Sequence, residues 1–387
     1  MSERTEVTEP ADAPPVAPRR IAAFDVLRGL CIVSMTTAHL AAGSLPYEVL
    51  HAAVWIDGAV GFVFLSGLVL GVVQRSRADR PTGVVTRTLL RRAGLIYLAH
   101  LFLVVLALVI AAVDPERTST LAPRPLASVD GVGGLGPTIW AALTLRISPP
   151  LVSILSLYVV CLLLAVPAVL ALRRGWWPLV VGGSLVLYAV GYVVGEGSTA
   201  LPRSTFTFPQ FPGVPGAVNW ACWQLLFLVG LTIGWHWRSE RVQSLVGNVR
   251  VIAAAAVALA LFVVLGYAVT EGPTAIWRTS VQSLFLEGRL GLGTIVMALL
   301  AFLVLRPAAA WLLDTVPMVA SPFARLGRHA LDCYLILSTV VLLTPSVFRL
   351  EGASLLATLY AFDVLVLCWV WCLVRDRRRA RPPAPVP

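Results

Sequence analysis

The chain has 387 residues, 58% of them hydrophobic and 13% charged, with a mean hydropathy of +0.84, which excludes a soluble globular protein and predicts an all-α polytopic membrane protein. The net charge of +10 comes from 30 basic residues, all arginine. In so apolar a chain that charge is first a matter of topology, so no nucleic-acid partner is expected. Residues 1–20, rich in Pro, Ala and acids, read as a disordered tail; they lack the charged region and short apolar core of a cleavable signal peptide. Residues 21–374 read as one transmembrane domain, and 375–387 as a basic, Pro-rich C-terminal tail.

Hydropathy predicts ten spans, near 24–42, 54–74, 93–113, 151–172, 176–195, 217–236, 250–269, 290–306, 329–346 and 354–374. If both termini and alternate loops are cytoplasmic, those regions hold 22 arginines and the outer loops seven, with Arg28 inside the first span. Cytoplasmic loops retain arginine, so the split favours ten helices with both ends inside. Two outer connections, 114–150 and 196–216, are long and rich in Pro, Gly, Ser and Thr; within the first, GPTIWAALTLRI reads as a short interfacial helix. Six cysteines sit in apolar segments without metal-ligand spacing and read as buried free thiols; no metal site is expected.

The first span, FDVLRGLCIVSMTTAHL, carries Asp25, Arg28 and His39. An arginine or aspartate at the bilayer centre costs about 3 kcal/mol by insertion scales, so such groups face the protein interior and mark a functional path. Eleven residues are close to three turns, which puts Arg28 and His39 within about 20° of one another and about 16 Å apart along the axis. Asp25 lies within about 60° of Arg28, completing a polar stripe. The spacing predicts a cation near one membrane face and an imidazole near the other, both opening on one channel.

Together with DVLRG and the ten residues between Arg28 and His39, FVFLSG (62–67) resembles the membrane O-acyltransferases that modify bacterial surface sugars. LSLYVV (155–160), NWACWQLLFLVG (219–230) and RLGRHALDCYLILS (325–338) are similar to one branch, the OpgC family of glucan succinyltransferases. The resemblance implies an acyl-coenzyme A donor on the cytoplasmic side and a sugar hydroxyl of an envelope carbohydrate or glycolipid outside. It maps the key arginine and histidine onto Arg28 and His39. Succinyl is the leading acyl group, acetyl the other, and the location implied is the cytoplasmic membrane of a bacterium, in contact with its lipids.

Read for chemistry, neutral His39 suits a general base, or else a packing histidine. Arg28 offers a bidentate fork for the donor, or pairs with Asp25 one turn away. Asp57 would orient His39 as in a catalytic dyad, or bind backbone or water. Ser66, beside Gly67, reads as close helix packing rather than a nucleophile. In the inner loop Arg75, Arg91 and Arg92 are candidates to hold the donor, among arginines that topology alone would also place there. His100 reads as a core histidine, Asn219, Trp223 and Gln224 as acceptor-binding groups or part of an interfacial belt. Asp332 and Asp363 would pair with Arg325, Arg328 or backbone donors, and Glu287 with Arg289. Without a phosphate-cradling glycine loop, ATP hydrolysis is not expected. The competing class is a secondary transporter in which Asp25, Arg28, His39 and Asp57 form a proton relay or anion site.

Overall fold

Long runs of Leu, Val, Ala and Ile without strand alternation must satisfy their backbone groups internally in lipid, and the helix does this within one segment. The structure, a computed structural model, describes residues 21–52, 57–114, 128–149, 151–197, 205–208, 218–271, 284–285, 290–344 and 354–380. Its helices in the first half are α1 (Ala22–Leu40), α2 (Leu45–Leu50), α3 (Gly58–Arg75), α4 (Thr82–Val113), α5 (Val129–Val132), α6 (Leu135–Leu143) and α7 (Val152–Arg173). The second half has α8 (Trp177–Gly197), α9 (Trp220–Trp235), α10 (Glu240–Gly247), α11 (Val249–Glu271), α12 (Leu292–Thr315), α13 (Pro317–Arg328), α14 (Ala330–Leu343) and α15 (Leu355–Ala380). The one β pairing among the described residues is an isolated bridge between Thr207 and Asn219.

Seven helices are long and apolar enough to cross a membrane, and the α13–α14 pair, bent by 80°, makes an eighth if taken as one span. The two other expected spans, α1 and α9, also form helices: α9 is apolar but only 16 residues long, and α1 carries Asp25, Arg28 and His39. Both lie inside the bundle, packed largely against protein. α1 packs against α2, α3, α12, α13, α14 and α15, so Asp25 and Arg28 are only 7% and 9% exposed. Thirteen of the sixteen residues of α9 are buried.

Backbone approach explains how α1 and α9 come to be central. On α3, a Cβ added to Gly67 or Gly71 would overlap the carbonyl oxygens of Phe227 or Leu231, and on α9 one at Gly230 or Gly234 would overlap those of Phe64 or Leu68. Two small-xxx-small ridges therefore face each other. At the other side of α1, Gly29 lies against Phe323 of α13, and Gly327 of α13 against the carbonyl of Asp25.

α13 is tied to the end of the chain by charge. Arg325 and Arg328 lie 3.4 and 3.6 Å from Asp376 of α15, and His329 Nε2 lies 2.8 Å from it. Asp332 does not pair with Arg325 or Arg328 as expected. It accepts from Arg375 Nε at 3.0 Å and Trp371 Nε1 at 3.2 Å, because the bend after Arg328 turns it towards α15. Asp363 is exposed, and Glu287 and Arg289 lie outside the described residues. The interfacial helix expected in the first long loop is α6, with Leu135 and Trp140 on its exposed surface.

Candidate active site

Five helices converge on Arg28. The side chain leaves α1 towards α3, where its guanidinium carbon stands 5.8 Å from the centre of the Phe62 ring, a cation–π contact that holds charge in an apolar setting. Beside it is a cavity of about 10 Å³, room for a single water. Arg28, Ser66, Arg92, Tyr158 and Tyr334 supply its polar lining, and Phe62 and aliphatic side chains the rest. Arg92 comes from α4 and keeps much of its side chain accessible, so it links this buried point to the inner loop.

The tyrosines fix the shape of the cavity. Tyr158 O–H donates to the Phe62 carbonyl at 3.0 Å, and its ring packs on Phe62 at 5.6 Å. Tyr334 O–H donates to the carbonyl of Leu151, which opens α7 at φ 68°, a left-handed conformation costly for leucine. Ser66 Oγ is buried beside the Tyr158 phenol and lines the cavity with its hydroxyl. The close packing expected of Ser66 belongs instead to its neighbour Gly67.

Two guanidiniums and a serine hydroxyl around one water-sized space can hold an oxygen that carries negative charge, while the two phenols, whose protons are given to backbone carbonyls, shape its walls. The cavity as it stands admits a carboxylate, phosphate or carbonyl oxygen, not a whole nucleotide.

His39 lies half-buried in the last turn of α1. On the stripe between it and Arg28 stand Ile32 and Met35, 0% and 3% exposed, and the Arg28 cavity stops short of the imidazole. The two groups share a helix face, but in this closed form that cavity is not a channel joining them. Asp57 caps α3 by accepting the Val60 N–H at 2.8 Å. The start of α3 lies beside Cys31, Ser34 and Met35 of α1, so Asp57 sits at a depth between Arg28 and His39.

The other candidates divide. Arg75 stacks over Trp235 at 5.5 Å, and Arg91 is exposed; neither lines the Arg28 cavity. Asn219 caps α9, accepting from the N–H groups of Ala221 and Cys222 and donating to the Gly191 carbonyl. Gln224 accepts from Ser184 Oγ at 2.8 Å and donates to the carbonyls of Ser184 and Ala221. Both amides, with Trp223 buried alongside, lock α9 to α8. His100 is fully buried, its Nδ1 3.2 Å from Ser156 Oγ, as a core histidine should be.

Tyr158 and Tyr334 escape sequence reasoning although both sit in motifs already singled out, LSLYVV and RLGRHALDCYLILS. Tyrosine does not interrupt an apolar run, so nothing flags it. With DVLRG supplying Arg28 and FVFLSG supplying Phe62 and Ser66, four of the five motifs meet at one cavity.

The sequence model of a protein family described as "OpgC protein" matches residues 20–380 of the chain. No curated protein and no solved structure matches.

Proposed function

The chain belongs to the OpgC family, and from that premise we propose that it is a multi-pass acyltransferase of a bacterial cytoplasmic membrane. It takes an acyl group, succinyl or acetyl, from cytoplasmic acyl-coenzyme A and places it on a hydroxyl of an extracytoplasmic glycan or glycolipid. The observation that carries this reading is the convergence of Arg28 and Arg92, with Tyr158, Tyr334 and Ser66, on one buried water-sized cavity. The two guanidiniums and the serine hydroxyl can bind a carboxylate or phosphate oxygen of the donor, at a point below the His39 imidazole where transfer takes place.

In this mechanism the inner arginines guide the anionic donor, and Asp25, one turn before Arg28, neutralises part of the local charge. Ile32 and Met35 move aside for the acyl arm to rise along the stripe. The acceptor oxygen attacks the thioester carbonyl as His39 takes its proton. The tetrahedral intermediate collapses, the C–S bond breaks, and the thiolate leaves, taking up that proton. No nucleophilic side chain is required, since orienting both reactants in a dry site removes much of the barrier.

The test uses purified protein in lipid nanodiscs with succinyl- or acetyl-coenzyme A and a glucan or glycolipid acceptor, following release of free thiol. Wild type should release it, and Arg28→Ala and His39→Ala should reduce release at least 100-fold. Flux of substrate across vesicles without thiol release would replace the enzyme reading by the transporter one.

A further inference from the structure

A second cavity, of about 340 Å³, lies between α1, α3, α11 and α12. It falls at the lower end of the range for small-ligand sites, about 300–1,000 Å³. Its body is carbon: Leu27 and Phe64 on one side, Val263 and Leu305 on the other. Its polar groups gather at one end. There, Ser34 Oγ lies 3.1 Å from His51 Nε2, while His51 Nδ1 lies 3.0 Å from the carbonyl of Tyr47. A carbonyl only accepts, so Nδ1 carries the proton and Nε2 of the neutral ring accepts from Ser34. The Tyr47 ring stacks on the imidazole at 4.4 Å, and Asp57 lines the same end.

His51 follows α2, yet it reaches Ser34, six residues inside the outer end of α1. The connection between α1 and α3 thus folds a polar cluster back to the head of an apolar slot. Opposite, α11 packs on α10 and α12 and turns Val257, Leu261 and Val264 outward, each more than 60% exposed. Among the described residues, α11, with its outer side exposed, and α12 form the outer wall of the slot.

We propose that the slot is a binding site for a single-chain amphiphile with a neutral, hydroxyl-bearing head: the chain lies between α1–α3 and α11–α12, and the head hydroxyls bond to Asp57 and to Ser34, whose hydroxyl His51 holds in place. The one-ended distribution of polar groups fixes the orientation of the chain. Asp57, one oxygen of which already accepts the Val60 N–H, offers its other oxygen to a head hydroxyl, which selects an alkyl glycoside or monoacyl glyceride type over a fatty-acid carboxylate with no O–H to donate. This site goes beyond the acyl-transfer reading and does not depend on it, because it lies on a different face of α1 from Arg28 and His39.

The test is photolabelling of the full chain in phosphatidylcholine nanodiscs with a dodecyl glucoside carrying a diazirine near the chain end, with adducts located by peptide mass spectrometry. Saturable labelling of Val263 and Leu305 is expected, at least fivefold above labelling of outward Leu261 and Val264. Val263→Trp, which fills the slot, should reduce the Leu305 adduct at least fivefold; Ala301→Phe serves as a second plug if that variant fails to assemble. Ser34→Ala and His51→Gln should each raise the half-saturating concentration about 2- to 10-fold, the worth of one hydrogen bond. A dodecanoic acid probe of equal chain length should label the slot at least fivefold less. Equal labelling of slot and outer face, labelling unaffected by either plug, or equal labelling by the fatty acid would overturn the proposal.

Discussion

Arg91 and Arg92 are adjacent in sequence and alike in composition, and only their place on α4 tells them apart. Both are exposed, but Arg92 also lines the Arg28 cavity and Arg91 takes no part in that lining. If the cavity holds the donor, Arg92→Ala should raise the KM for acyl-coenzyme A about 10- to 100-fold, since a hydrogen bond to a charged group contributes about 1.5–3 kcal/mol. Arg91→Ala should stay within twofold of wild type. Equal effects in steady-state thiol release would mean that the inner arginines act only as a general field. At this scale, ionisable groups inside an apolar run stand out, which is how Arg28 and His39 are legible in the sequence. The same signal does not separate ligand from scaffold: Asn219 and Gln224 are as polar and as deep, yet their described bonds either cap α9 and stay within it or tie it to α8.

Between helices, the α3–α9 seam sets how closely the bundle draws together around the site, because Phe62 and Ser66 are carried on α3. Gly234→Ala puts a methyl group into the carbonyl of Leu68, a backbone atom that cannot step aside. Overpacking of this kind costs about 1–3 kcal/mol. Gly182→Ala on α8 meets nothing within 4 Å and gains helix propensity of up to about 1 kcal/mol. Melting in detergent should therefore fall for the first variant and hold or rise for the second; a fall in both would show that the seam has no special part. All ten expected spans appear as helices, because apolar runs of that length have no other satisfied backbone in lipid. Hydropathy does not reveal what lies beyond the apolar part. α4 begins at Thr82 rather than near 93, since arginines continue a helix readily. The 80° bend between α13 and α14 has no hydropathy signature, for it rests on α13 packing across α1 and on the bonds to Asp376.

Across the whole molecule, contacts among arginine-bearing ends define one face. Arg75 stacks on Trp235, Arg173 donates to the carbonyl of Arg80 at 2.7 Å, and Arg306 donates to that of Val246 at 2.9 Å. Arg325 and Arg328 meet Asp376. The ends of α3, α7, α9 and α15 and the starts of α4 and α11 are thereby gathered at the same side, in keeping with alternating crossings. The start of α1 and the end of α15 lie there too: the start of α1 lies against α13, and α13 is bound to Asp376 near the end of α15. This holds whichever way α1 and α9 are counted, because it follows from contacts rather than from the number of spans. Under the proposed function this arginine-rich face is the cytoplasmic one, as the positive-inside tendency would have it. Enzyme reporters active in only one compartment, fused before residue 20 and after residue 380, should both read cytoplasmic. A reporter inserted in the loop bearing α6 should read the opposite side. Termini in different compartments would break the chain of contacts from α1 through α13 to α15 and, with it, the direction of transfer, because Arg92 would then open to the side that holds no donor.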